Sequence, residues 1–299
     1  MSTKAEQNFK KYVSNHQFLS NLENVDLNFG AVVDDTEHPL EQIYLGALFK
    51  ILKKWDGFVD FQFYIIGSNE KHDFVIDSNS VVIYLSNENH EVPSAIRKAK
   101  AVFTPYCPLD FEKSKNIFPI PLGYNGSLED IELIAIEDRV TDYFFSGNIY
   151  KKRLPFYAGI KYHQFKEKIN ITQKQNAEVI FTNGFGCGFP PSEYSKKLMN
   201  SKIAIVPEGY LSDVSFRFFE ASKYGSIIIT KKLYNYWFFK DFPGFQLNSW
   251  FELSALLIHL KKNPEKMKEI QKATLKYYED NCSEKSVANY IINQLTLLN

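Results

Sequence analysis

Cysteine is scarce: Cys107, Cys187 and Cys282 are the only three in 299 residues, they lie far apart, and no Cys-x-x-Cys pair occurs. No histidine stands at metal-ligand spacing from any of them. This excludes a disulfide framework or a zinc site and fits a reducing compartment. Net charge is lacking too, since Lys+Arg and Asp+Glu each number 35. A nucleic-acid binder ordinarily carries a basic face, because neutralising phosphates supplies most of its affinity, so no nucleic-acid partner is expected. The opening residues, Met1 to Gln7, are polar with no apolar stretch behind them and do not read as a secretory signal. No apolar run approaches the roughly 20 residues that cross a bilayer. A cytoplasmic location is the expectation. Internal repeats and low-complexity tracts are absent as well.

What is present is ordinary in bulk. Hydrophobic residues make up 44% and charged residues 23%, as in a soluble globular chain, and the length suits two domains of about 150 residues each. Aromatics reach 16%, with 26 Phe and 18 Tyr. Core filling is their commoner use, and stacking on sugars or bases the rarer one.

Along the chain, strand-like and helix-like segments alternate. Val25 to Val33 reads as a strand, and Leu40, Ile43, Tyr44, Ala47, Leu48 and Ile51 then recur at helical spacing. Phe61 to Ile66 and Val81 to Leu85 read as strands. A helix is expected over Pro93 to Lys100, where proline at the first position does no harm. Ala101 to Phe103 is a short strand, and Ile117 to Tyr124 closes the half. The polar, acidic segment from about Asn125 to Thr141 reads as a linker. A second series follows, with strands at Tyr143 to Phe145, Val179 to Phe181, Ile203 to Val206 and Ile227 to Ile229. Helices are expected at Pro191 to Asn200, Phe216 to Lys223 and through Glu265 to Leu298. The alternation implies two parallel α/β domains, with ligand loops at the carboxyl ends of the strands.

The stretch with the most chemistry is Ile203-Ala204-Ile205-Val206-Pro207-Glu208-Gly209, running through Ser215-Phe216-Arg217-Phe218-Phe219-Glu220-Ala221 to Gly225. A strand ends at Pro207, a glycine-containing loop follows, and Ser215 stands where it can cap a new helix. Arg217 and Glu220, three apart, share a face near that helix's N-terminus. Free N–H groups and the helix dipole attract an anion there, Arg217 adds a planar fork suited to a diphosphate, and Glu220 can accept from ribose hydroxyls. From spacing alone, a surface ion pair worth about 0.3–0.5 kcal/mol is the more common meaning of such a pair.

This stretch resembles the donor-binding motif of GT-B glycosyltransferases, most closely the exostosin-like group, at Pro207, Gly209, Ser215, Arg217, Glu220, Ala221 and Gly225. Trp250 to Leu253 with Asn263 to Lys266 is similar to that family's segment after the donor site. Phe144-Phe145-Ser146-Gly147-Asn148 with Arg153 resembles its first donor-domain strand and loop, and Ile120 to Tyr124 the end of its acceptor domain. The resemblance implies a GT-B fold, α/β, with two Rossmann-like domains facing a cleft: residues 1–135 for the acceptor and 136–299 for the nucleotide-sugar, the last helix returning to the first domain. It implies that Arg217 contacts the diphosphate and Glu220 the ribose, with Ser146, Gly147 and Arg153 approaching the phosphates. Read alone, Lys151-Lys152-Arg153 is commonly a solvated turn.

The activity so implied is transfer of a sugar from a nucleotide-diphosphate donor, UDP by preference, to a hydroxyl of a glycan or lipid-linked glycan in bacterial surface polysaccharide synthesis. Beyond that substrate no cofactor is expected. Many retaining members carry two glutamates separated by seven residues. Here the earlier position is Ser212, which favours inversion. An inverting enzyme needs a base for the acceptor hydroxyl. Glu88, after the third strand, and Asp35, after the first, are equal candidates; helix capping is the competing role for Asp35 and a solvent-facing loop for Glu88. No Asp-x-Asp metal motif occurs, so a metal-independent reaction is expected. Lys261, Lys262, Lys266, Lys268, Lys272 and Lys276 offer a peripheral contact with an anionic membrane, against the commoner meaning of a solvated helix face. Two other readings share the fold, a sugar-nucleotide epimerase and a non-catalytic nucleotide- or glycan-binding module.

Overall fold

A computed structural model of the chain describes residues 26–28, 41–67, 76–85, 87–125, 128–169, 171, 174–184 and 187–298. In chain order its elements are β1 (Asp26–Asn28), α1 (Gln42–Leu52), β2 (Gln62–Gly67), β3 (Ser80–Leu85), β4 (Ala101–Thr104) and β5 (Ile117–Pro119). Then come β6 (Thr141–Asn148), α2 (Leu154–Lys168), β7 (Ala177–Thr182), α3 (Pro191–Met199), β8 (Ser201–Val206), α4 (Phe216–Lys223), β9 (Ile227–Thr230) and β10 (Phe245–Gln246). The chain ends in α5 (Leu253–Lys261), α6 (Pro264–Asn281) and α7 (Glu284–Leu298).

Short, wholly apolar strands bury both faces and so form parallel sheets covered by helices. β3 is buried at every residue, and β4 likewise. Two five-stranded parallel sheets result, in the orders β1-β2-β3-β4-β5 and β10-β9-β8-β6-β7. Contacts divide the chain into two compact units: 1–126 with 236–238 and 281–299, and 127–235 with 239–280. The fold is α/β with two Rossmann-like units, as the sequence pattern and the resemblance both imply.

The first unit is closed by distant segments. α7 lies on α1, and Tyr44 of α1 donates to the Cys282 carbonyl at 2.9 Å. Trp237 donates through its indole to the Pro119 carbonyl at 2.7 Å and stacks on Tyr290 at 4.4 Å. Gly123 has φ +77°, and any Cβ there would collide with the Tyr44 ring, so this turn requires glycine. In the second unit, one face of the sheet packs on α2, α5 and α6 around Phe145, Phe156, Ile160, Trp250, Leu253 and Leu257. Arg139, 1% exposed, donates to the carbonyls of Ser201 and Ile134 and to the Ser226 hydroxyl, tying the incoming chain to the sheet. Burial lowers its pKa to about 10, and the hydrogen bonds compensate the charge.

Two sequence expectations need revision. The helix expected over Pro93 to Lys100 is only a 3-10 turn, Ile96–Lys98. The Lys100 N–H is already bonded to the Ser80 carbonyl as the chain enters β4, so no room remains for a further helical turn. α2, the second unit's first helix, is missing from the sequence reading. Of the strand expected over Val25 to Val33, β1 is the part that falls within the described residues. No helix among the described residues is long and apolar enough to cross a membrane.

Candidate functional site

The second sheet runs β7-β6-β8-β9, so the chain steps to one side of β6 and then returns to the other. Strand order therefore reverses between β6 and β8, and ligands of open α/β sheets bind outside the carboxyl ends of strands at such a switch point. The loop after β6 runs from Ile149 to Arg153, and the loop after β8 runs from Pro207 to α4. Ser146 and Gly147 lie at the end of β6, Pro207, Gly209 and Ser215 in the loop after β8, and Arg217 and Glu220 on α4.

Arg217, half-buried on the first turn of α4, donates its Nε to the Ser146 carbonyl at 2.8 Å and lies over the Phe145 ring at 5.3 Å. These contacts hold the guanidinium against β6. Gly147 makes this possible, because a Cβ there would strike the terminal nitrogen of Arg217. Among the described residues no carboxylate pairs with Arg217, and its terminal nitrogens have no protein acceptor. No ion pair joins it to Glu220, so the surface-pair reading of the spacing does not apply. Glu220 is 4% exposed and accepts from the Tyr194 hydroxyl at 2.7 Å. Burial, and then the Glu220 charge, push the Tyr194 phenol well above its ordinary pKa, so it stays a hydrogen-bond donor. Sequence spacing does not single out Tyr194; its only signal is an aromatic on the helix that precedes β8.

Ser215 occupies the N-cap position with extended backbone, but its side chain makes no capping bond; the Phe218 N–H bonds instead to the Ser215 carbonyl at 3.0 Å. Gly209 leaves no space for a side chain, since a Cβ would lie 2.5 Å from the Val214 carbonyl oxygen. Arg153 faces inward. It is 4% exposed, donates to the Glu208 carbonyl at 2.7 Å and the Asn148 carbonyl at 3.1 Å, and stacks on Tyr150 at 4.5 Å. Tyr150 donates to the same Glu208 carbonyl at 2.7 Å. Arg153 thus braces the loop after β6 against the loop after β8. Lys152 does similar work, pairing with Asp213 at 2.6 Å. Glu208 brings an acceptor: its Oε2 is buried without a hydrogen-bond donor among the described residues. A ligand hydroxyl would satisfy it.

The base candidates belong to the first unit. Asp35 lies outside the described residues. Glu88 is half-buried in the turn after β3. That turn is fixed by Asn87, which donates to the carbonyls of Glu91 and Tyr106, both at 3.1 Å, and accepts from Thr104 at 3.0 Å. His90, at φ 61°, places its Nδ1 2.9 Å from the Cys107 carbonyl oxygen. The Tyr106 phenol is pushed well above its ordinary pKa by burial, and the charges of Glu88 and Glu41 add to the shift. Glu41, just before α1, was not among the expected residues. It is 4% exposed, and burial raises its carboxyl to about 7. Its sequence signal is faint, a lone carboxylate opening an apolar helix.

Among the described residues no group of three or more His, Cys, Asp or Glu is arranged to hold a metal ion. Of the lysines expected to meet a membrane, four are committed to ion pairs inside the chain: Lys261 with Asp142, Lys266 with Glu269, Lys268 with Glu137 and Glu265, and Lys276 with Asp280.

No protein-family profile matches the sequence, and no curated protein matches it. Solved structures do match the fold. TarM aligns at 12% identity and TM-score 0.50 over 84% of this chain, which spans 57% of TarM's length. Sucrose-phosphate synthase from Thermosynechococcus elongatus aligns at 11% identity and TM-score 0.50, covering 88% of this chain and 82% of its own. A glycosyltransferase from Rickettsia africae ESF-5 aligns at 13% identity and TM-score 0.50, covering 98% and 94%. Such a likeness carries the fold; the chemistry has to be argued from the site.

Proposed function

We propose that this chain is a metal-independent glycosyltransferase that moves a sugar from a nucleotide-diphosphate donor to a hydroxyl of a glycan or glycolipid, with inversion. The observation that carries the reading is Arg217: a guanidinium held at the switch point between β6 and β8, with its Nε engaged and its terminal nitrogens without a protein partner among the described residues. A diphosphate suits that fork, bidentate and charge-assisted. Glu220, oriented by Tyr194, accepts from the ribose hydroxyls, and the buried Glu208 Oε2 accepts from a sugar hydroxyl. As the anomeric bond breaks, negative charge grows on the diphosphate. Arg217 and the N-terminal N–H groups of α4 stabilise it there without needing to reorganise. Glu88 or Asp35 takes the acceptor's proton as its oxygen attacks. The fold shared with sucrose-phosphate synthase and the Rickettsia africae glycosyltransferase supports the reaction class. Preference for UDP, kinship with the exostosin-like group and a role in bacterial surface polysaccharide rest on the motif resemblance.

A screen of UDP-, GDP-, TDP- and CMP-sugars by calorimetry, on the wild type and on Arg217→Ala, tests this. Selective binding of one nucleotide, weakened about 10- to 100-fold in the variant, is the expected result, the size of one or two lost charge-assisted bonds. A folded wild type that binds none of them would remove the donor-site reading.

A further inference from the structure

α2 has two apolar faces. One, with Phe156, Ile160 and His163, is buried in the second unit's core. The other carries Leu154, Ala158, Tyr162 and Phe165 and is continued by Ile169 at the helix's C-cap, spaced by four, four, three and four residues, which is a continuous stripe along a helix. This outer stripe is exposed. Leu154, Tyr162, Phe165 and Ile169 lie between 43% and 56% exposed. Phe251, 55% exposed, packs edge-on to Tyr162 at 5.7 Å and widens the patch, and Ile171 extends it beyond the helix end at 63%. Contiguous apolar surface of this kind marks a contact site; scattered single residues do not.

The charges around the stripe identify the partner. Lys161, Lys166 and Lys168 flank it, with the Lys161 ammonium over the Tyr157 ring at 5.5 Å and the Lys166 ammonium over the Tyr162 ring at 5.3 Å. Acidic neighbours are turned away. Glu167 is directed to the Gln175 N–H at 2.9 Å and to His163 at 3.5 Å, while Glu252 accepts from the N–H groups of Ser249 and Asn248. A protein face that joined a second copy of itself would set like charges against like; an anionic lipid surface meets both the lysines and the apolar stripe. Tyrosine with lysine beside an apolar stripe is the make-up of a helix lying in a membrane interface, where the lysine stems reach to the headgroups.

We propose that the outer face of α2, with Phe251, docks this protein on the surface of an anionic membrane. The contact lies on the second unit and does not depend on the donor reading. It differs from the contact expected of the C-terminal lysines, several of which are ion-paired.

Flotation of the full chain with vesicles of phosphatidylcholine, alone or mixed with phosphatidylglycerol, tests it. Binding to the mixed vesicles only, weakened by salt and reduced about tenfold or more by joint Tyr162→Ser, Phe165→Ser and Ile169→Ser, is expected. A second variant, Lys161→Glu with Lys166→Glu and Lys168→Glu, changes no apolar residue and should also release the protein. Three results would overturn the proposal: no flotation of the wild type with mixed vesicles, variants that float like the wild type, or self-association in sedimentation that Phe165→Glu abolishes. None bears on nucleotide binding, so the two readings fail separately.

Discussion

The Tyr194 hydroxyl reaches the Glu220 carboxylate at 2.7 Å, so a single oxygen atom separates a positioned acceptor from a looser one. Tyr194→Phe removes only that atom. Donor affinity should fall about tenfold, the size of one hydrogen bond to a charged group, and the melting temperature should drop as well, because the buried Glu220 carboxylate loses a donor. Calorimetry beside a thermal melt reads both, and unaltered affinity would show that Tyr194 does not orient Glu220. The base is a question of the same scale. Glu88→Gln and Asp35→Asn should leave donor binding intact, and whichever residue is the base should lose transfer by about 100-fold or more. Full transfer in both variants would exclude both. Glu88 could be suspected from its loop; Tyr194 could not, because what it does depends on which strand end its helix crosses.

At the scale of elements, two glycines separate site from scaffold. A Cβ on Gly147 would strike Arg217, while a Cβ on Gly159 would lie 2.5 Å from the Trp250 carbonyl oxygen. Gly147→Ala should therefore displace the guanidinium and weaken donor binding about as much as Arg217→Ala, with little loss of stability. Gly159→Ala should do the reverse, costing about 1–3 kcal/mol as α2 is forced from its neighbour, with donor affinity kept. Denaturant melts and calorimetry on the two variants check the contrast; equal effects on both properties would contradict it. The elements also differ in how far they could be read. α4 was legible to the residue, because a serine precedes it, a strand ends shortly before, and a glycine follows. β3 and β8 were legible as apolar runs of strand length. α2 was not, since apolar residues on both its faces erase the single stripe that a helix usually announces. The turn at Ile96–Lys98 misled for another reason: its length is set by where β4 must start, which is tertiary information. Arg153 sits in a basic run that reads as solvated, and its burial follows from two loops meeting only in the fold.

At the scale of the whole molecule, burial opposes the charge of Glu41 in the first unit and of His163 in the second, and the two act in opposite directions with pH. In the first unit Glu41 has its carboxyl raised from 4.5 to about 7 by burial. The folded state then holds a proton that the unfolded chain has released, so stability is full below about 4.5 and is lost as pH rises through 7, by roughly 3 kcal/mol. In the second unit His163 is wholly buried between Ser254 and Gln175, each at 3.1 Å, and burial lowers its pKa below 6.5. Here the unfolded chain binds the extra proton, so stability is full above 6.5 and falls as pH drops below it. Tryptophans report on the units separately, Trp55 and Trp237 in the first and Trp250 in the second. With Trp250→Phe, the fluorescence melt should weaken from pH 5 to pH 8, and Glu41→Gln should abolish that slope and stabilise the protein at pH 8. With Trp55→Phe and Trp237→Phe together, the remaining signal should weaken on acidification instead, and His163→Gln should flatten that arm at some cost in absolute stability. If both reporters give one pH profile that Glu41→Gln shifts as a whole, the units unfold as a single cooperative body and the two linkages sum in one transition.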